Sequence, residues 1–342
     1  MKQCAILIIS VFVLCLVQGV FGASAPVVSN VAASQRSGDS KLVDIYYDLT
    51  DTDGDTCSVW FKVSTDSGAS WQIMPKSAYG DVWANVMPGT YKHITWDAGA
   101  DIPGFAGNFK VRLFADDGNS FAQLCFVPYD PQTGYGIDDF WIGKYEVTNA
   151  QYCEFLNQYD PSGSYYYSGM QINQYGSAGS YYYQVQPGKV DYPIVYTAFA
   201  DAQAFCQWLS NETGLTYRLP SGNEWEMAAG WDPINHKLWT YGCQQDTIDC
   251  TWCNYSPCYP ILPVGYFNGI NPGTNDAKSY YGCYDMSGNV SEWTTDIDNG
   301  ERCQRGGSTS SSATECQVTF LSFIDPTQYH GERGFRIVLD LN

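Results

Sequence analysis

Tyr280–Trp293, YYGCYDMSGNVSEW, is the stretch that decides how the second half of this chain is read. Gly288 permits a tight turn. Asp285 and Glu292 place hard carboxylate oxygens on either side of it, and the main-chain carbonyls between them can complete a cage that suits calcium. The alternative is an ion-free turn in which Glu292 accepts from main-chain amides. Upstream, RLPSGNEWEMAAG (218–230) opens a helix: Pro220 and Ser221 set the start, Glu224 sits three residues after Ser221 as a capping box, and Trp225, Ala228 and Ala229 form an apolar stripe. Two further helices are expected. TNAQYCEFLNQ puts Tyr152, Phe155 and Leu156 at helical spacing behind Thr148 and Asn149 as N-cap, and TAFADAQAFCQWLSNETG aligns Phe199, Ala202, Phe205, Cys206 and Leu209 before Gly214 as a stop. Cys153 and Cys206 ride on these helices as buried thiols, since no flanking charge lowers their pKa.

Between the helices, two tyrosine runs flank GSAG and predict a surface β-hairpin. Tyr165, Tyr166, Tyr167, Tyr181, Tyr182 and Tyr183 are candidate contacts for a sugar or a partner chain, or else rings that cover their own domain.

In order, the phrases WIGKYEVTNAQYCEFLN, FADAQAFCQWLSNETGLTYRLPSGNEWEMAAG, CNYS, YYGCYDMSGNVSEW, RGGS and RGFRIV resemble the formylglycine-generating enzyme family, the sulfatase-modifying-factor domain, over residues 137–339. The resemblance implies a C-type-lectin-like fold with modest regular structure. It places the family's calcium ligands on Asp285, the carbonyls of Gly288 and Val290, and Glu292. A second calcium site would begin at Asn254 and the carbonyl of Tyr255, but SPCYPILPV replaces the acidic loop that finishes it. Catalytic relatives hold copper(I) between two thiolates. Counted from GGS, those positions fall on Ser311 and Cys316, and a hydroxyl is a hard, protonated, weak ligand for a cuprous ion. Thr309 and Gln317 also depart from the family pattern, and Ala229 and Ile337 stand where catalytic relatives carry stapling cysteines. Cys316 can equally cross-link to Cys303 or stay a buried thiol. Iron-dependent relatives use a histidine cluster on an additional helical domain, whereas His93, His236 and His330 lie in unrelated contexts.

The first half has a different grammar. Residues 25–125 alternate apolar and polar positions in KLVDIYYDLTD, CSVWFKVSTDSGASW and FKVRLFADDG, each ended by an Asp/Gly/Ser turn, and so read as an all-β sandwich resembling immunoglobulin or fibronectin type III modules. DTDGDT (51–56) is a turn that lacks the closing Glu of a calcium loop. Cys57 and Cys125 form one staple or two buried thiols. The expected fold class is therefore α+β: a sandwich, then a lectin-like domain with two main helices and irregular β structure.

Residues 1–22 have the layout of a secretory leader, which predicts a secreted or extracytoplasmic chain (periplasm or cell surface) with no membrane insertion after cleavage. A formal net charge of −19 argues against nucleic acid and anionic bilayers as partners. Of 13 cysteines, Cys4 and Cys15 fall in the leader, so an odd number remains. Cys243, Cys250, Cys253, Cys258 and Cys283 fit two local disulfides better than a structural zinc site, because their spacing is irregular. NET, NYS and NVS match the glycosylation pattern. The reading that follows is a non-catalytic, calcium-stabilised lectin-like binding protein with a protein or glycan ligand contacted by the tyrosines, Thr309 and Ser311. The competing reading is a copper-dependent formylglycine-generating oxidoreductase that works through Cys316.

Overall fold

The computed structural model describes residues 26–340 apart from 38–39, 52–53, 55, 67, 69–72, 74, 105–106, 117–122 and 214. The segment expected to be a leader, residues 1–22, lies outside the described residues, as do Thr52, Asp53 and Asp55 of the 51–56 turn. The chain forms two compact units, one reaching to Gln123 and the other running from Leu124 to Asp340.

In the first unit the strands are β1 (Val27–Gln35), β2 (Leu42–Thr50), β3 (Cys57–Ser64), β4 (Ala78–Gly80), β5 (Trp83–Val86), β6 (Gly89–Asp97) and β7 (Lys110–Asp116), with a one-turn helix α1 (Ala98–Asp101) after β6. They build a four-stranded sheet in the order β1-β2-β6-β4 and a three-stranded sheet in the order β5-β3-β7. The period-two pattern is the cause: Val43, Ile45 and Tyr47 of β2 share one core with Val59, Phe61 and Val63 of β3, and Trp96 of β6 closes edge-on to Phe61 and Phe109. Cys57 does not pair with Cys125; its thiol donates to Asp51 Oδ2 at 3.6 Å, and Cys125 also remains a thiol.

The second unit adds β8 (Leu124–Val127), β9 (Phe140–Gly143), α2 (Asn149–Tyr159), β10 (Ile172–Tyr175), β11 (Tyr182–Val185), α3 (Phe199–Thr213), β12 (Thr216–Arg218), α4 (Gly222–Gly230), β13 (Trp231–Asp232), β14 (Lys237–Leu238), β15 (Ser291–Asp298), β16 (Glu301–Arg305), β17 (Ser322–Ile324), β18 (Arg333–Gly334) and β19 (Val338–Asp340). Two sheets organise it, β12-β19-β9-β8 and β17-β16-β15-β18. Thr148 caps α2, with Gln151 completing a capping box, and Ser221 with Glu224 does the same for α4. The apolar stripes of α2 and α3 meet as a ring cluster in which Tyr152, Phe155, Phe205 and Phe335 pack at centroid distances of 5.1 to 6.3 Å. On α4, Trp225, Ala228 and Ala229 form a second core with Phe140, Ile142, Met286 and Val338. The hairpin also forms, but its first strand is Ile172–Tyr175, later than the first tyrosine run, because Tyr165 and Tyr166 pack back onto Phe155 and Tyr183.

Candidate functional site

Residues 285–292 lead into β15, where they meet α4 and strand β18. Gly288 has φ 88°, and a Cβ there would collide with the carbonyl oxygen of Asn254, so the close approach of two backbones requires glycine. Glu292 accepts from Arg336 Nε and Nη2, both at 2.6 Å, and from Trp225 Nε1 at 2.7 Å. Its partners among the described residues are thus a guanidinium and an indole, not the main-chain amides of the ion-free alternative. Arg336 is itself fully buried and also donates to Gly143 O and Tyr284 O. Such fork-to-fork pairing satisfies both carboxylate oxygens.

Two more buried carboxyls stand beside this pair. Glu146 receives Asn289 Nδ2 at 3.1 Å on one oxygen, while its Oε2 has no donor among the described residues, and its carboxyl faces that of Asp285. Asp285 Oδ2 accepts from Gly265 N at 2.5 Å. Burial pushes Asp285 up to about 6, and burial together with the charges of Asp285 and Glu292 pushes Glu146 well above the usual carboxylate range. Neither Glu146 nor Arg336 was among the sequence candidates. Their signal is a charge set between apolar residues, in WIGKYEVT and RGFRIV.

The calcium quartet carried over from the family does not fit as four donors, because Arg336 and Trp225 occupy the Glu292 carboxylate. Among the described residues, Glu146 Oε2 is the buried carboxylate oxygen of this cluster without a donor, and the Asp285 carboxyl lies beside it. Asn254 serves as scaffold: its Oδ1 accepts from Tyr259 N at 3.1 Å and its Nδ2 donates to Pro260 O at 2.8 Å. The amide of Cys258 donates to the Tyr255 carbonyl at 2.6 Å. Asn254 and Asn289 are buried, so of the three glycosylation patterns only that of Asn211, exposed late in α3, presents its asparagine.

At the family's copper position, Ser311 Oγ accepts from Ser308 N at 3.0 Å and Cys316 lies fully buried behind Gly307. Burial, helped by Glu315, pushes the Cys316 thiol up to about 12. Of the two alternatives for Cys316, the structure has the buried thiol and not the Cys303 cross-link. Cys303 is a buried thiol on β16 opposite Phe323, and the neighbouring thiol in electrostatic reach of Cys316 is Cys253. In the cysteine-rich stretch, Cys250–Cys258 is a disulfide while Cys243, Cys253 and Cys283 stay thiols, so one local bridge stands where two were expected. Two of the sulfurs that a zinc site would draw on are therefore joined to each other.

The tyrosines divide. Tyr183 is core, donating its hydroxyl to Asp160 O, and Tyr166 packs on it, so Tyr183 is no surface contact. Tyr165 packs on Phe155 and Tyr159. Tyr182 is exposed and stacks on Tyr175. Tyr167 stacks between Tyr196 and Tyr329, at 5.4 and 4.5 Å. The loop that carries Tyr329 continues to Glu332, whose carboxylate accepts from Ser308 and Thr309 at 2.9 and 3.0 Å and from Ser310. Burial would raise Glu332, yet these hydroxyls hold it below its ordinary value. A single loop, 329–332, therefore joins Tyr167 to the Ser308–Ser311 loop, two regions that sequence reading treated separately.

Few helices, many short strands and a fully buried Arg336–Glu292 pair characterise this mixed α and β scaffold. Residues 98–341 match the family described as Sulfatase-modifying factor enzyme 1-like domain, and the chain belongs to that family. The chain is 26% identical to the Chaperone protein LppX of Paenibacillus barcinonensis over 59% of this chain and 80% of that protein. It is 32% identical to the Inactive C-alpha-formylglycine-generating enzyme 2 of Bos taurus over 31% of this chain and 33% of the relative. It is 25% identical to the Formylglycine-generating enzyme of Bos taurus over 48% of this chain and 51% of that enzyme. The chain thus spans a third to a half of the two formylglycine-type relatives.

Proposed function

We propose that this chain is a non-catalytic binding module built on the formylglycine-generating scaffold, exported and acting outside the cytoplasm. The observation that carries this reading is the state of the copper position: a serine hydroxyl engaged by its own loop and a thiol that burial keeps protonated. Copper(I) needs soft anionic sulfur, and neither group supplies it as it stands. Similarity to a relative described as inactive agrees with this reading. The ligand would be a glycan or protein that meets Tyr167, Tyr182 and Thr309, with Ser311 at the back of the loop. A hard cation such as calcium would be held by Asp285 and Glu146 and would neutralise their buried charge.

The test is oxidation of a C-x-P-x-R peptide by purified protein loaded with copper(I). No peptide aldehyde is expected. Aldehyde formation that rises with added copper would overturn the proposal and favour the second reading, an oxidase that pairs Cys316 with Cys253, the thiol in its electrostatic reach.

A further inference from the structure

We propose that Cys125 and Cys283 are an oxidisable pair that closes a second disulfide beside Cys250–Cys258, tying strand β8 to the turn that feeds residues 285–292. Strand β8 is the outer strand of its sheet, hydrogen-bonded to β9 with Cys125 opposite Ile142. Cys283 ends a tight turn in which Gly282 N donates to Ser279 O, Ser279 N donates to Cys283 O, and Cys283 N donates to Ser279 Oγ. Gly282 has φ 94°, and a Cβ built on it would lie 3.5 Å from Cys125 Sγ, so the Cys125 sulfur rests directly against this turn. Both cysteines belong to the same apolar core, both remain buried thiols, and the two interact electrostatically. The Cys125 sulfur already rests against the residue that precedes Cys283, and a bridge forms where the two sulfurs can reach bonding distance.

The oxidant is a small external disulfide such as oxidised glutathione, and the exchange balances. One thiol of the pair loses its proton, attacks one sulfur of oxidised glutathione and expels a glutathione thiolate. The second then loses its proton, attacks the protein sulfur of the mixed disulfide and expels the other glutathione. Two protein thiols are oxidised by two electrons, and one disulfide is reduced to two thiols. Because Cys283 is fully buried, the exchange belongs to folding or to an opening of the outer strand β8. The resulting bridge would sit two residues ahead of Asp285 and fix the path of the backbone into the carboxyl cluster.

Trypsin separates the two cysteines cleanly: peptide Leu113–Lys144 carries Cys125 as its only cysteine, and Ser279–Arg302 carries only Cys283. The full chain is equilibrated with oxidised glutathione, alkylated in denaturant and mapped by mass spectrometry without reduction. The expected product is these two peptides joined, with Cys125 becoming alkylated in Cys283→Ser. Recovery of both peptides singly alkylated, or of either joined to a different cysteine, overturns the proposal, and this mapping needs no variant to fold. As a second readout, reduction should lower the Tm of a Cys250→Ser/Cys258→Ser protein by on the order of 5–10 °C. An unchanged Tm on reduction would count against the bridge.

Discussion

At the scale of single residues, the deepest commitment in this molecule is Arg336. A fully buried guanidinium with five donors and no acceptor must be matched by oxygen, and it is matched by Glu292 and the carbonyls of Gly143 and Tyr284. Arg336→Met keeps the bulk and removes the charge, which leaves the Glu292 carboxylate buried beside Asp285 and Glu146. The expected loss is about 3–5 kcal/mol in denaturant unfolding, the usual cost of stranding one partner of a buried pair. Asp201 offers a different residue-level test. It is buried in the first turn of α3, accepts from Ala198 N at 3.0 Å, and is pushed up to about 6 by burial. A carboxyl raised in the folded state favours folding most below its unfolded value near 3.8 and loses that contribution as pH rises through about 6. Asp201→Asn should therefore flatten the decline in Tm between about pH 4 and pH 7, an effect of at most about 3 kcal/mol. A slope identical to that of the parent protein would show that Asp201 does not carry it.

At the scale of elements, the local signals were the ones the sequence displayed. Ser221 and Glu224 announced the start of α4 because a capping box is a three-residue contact: Ser221 Oγ accepts from Glu224 N at 3.2 Å and Glu224 accepts from Ser221 N at 2.7 Å. Ser221→Ala should cost about 1 kcal/mol, seen as a shift of the urea midpoint with an unchanged slope. Helices α2 and α3 were legible for the same reason. The hairpin was half legible: GSAG marked its turn, with Gly176 and Gly179 at φ 94° and 88°, but alternation alone could not say that the first strand begins only after the first tyrosine run. That choice is made by contacts far along the chain, such as Tyr183 with Asp160 and Tyr167 with Tyr329. The site suffered most from this limit. Glu146 and Asn289, or Glu332 and Ser308, meet only after the chain has folded, so no window of sequence brings them together. Family phrases pointed to residues 285–292 and 308–316 but not to Arg336, which the fold pairs with Glu292.

At the scale of the whole molecule, the described residues contain no helix long and apolar enough to cross a membrane, and the formal net charge is −19. An acidic chain that buries three carboxyls around one arginine carries an electrostatic load that only a proton or a cation can relieve. The two remedies separate by experiment. If a cation does it, calcium binds the native state and not the unfolded chain, so millimolar calcium should raise Tm at pH 8, by an amount equivalent to about 2.7 kcal/mol at roughly a hundredfold excess over the dissociation constant. The effect should vanish in Glu146→Gln, which keeps the shape and removes one charge, and EDTA should return the parent protein to its metal-free Tm. Magnesium should do less, because it gives up its water reluctantly for an irregular cage. A Tm at pH 8 that ignores calcium altogether would mean that Glu146 and Asp285 share a proton instead, and the calcium part of the proposed function would fall while the binding role stood.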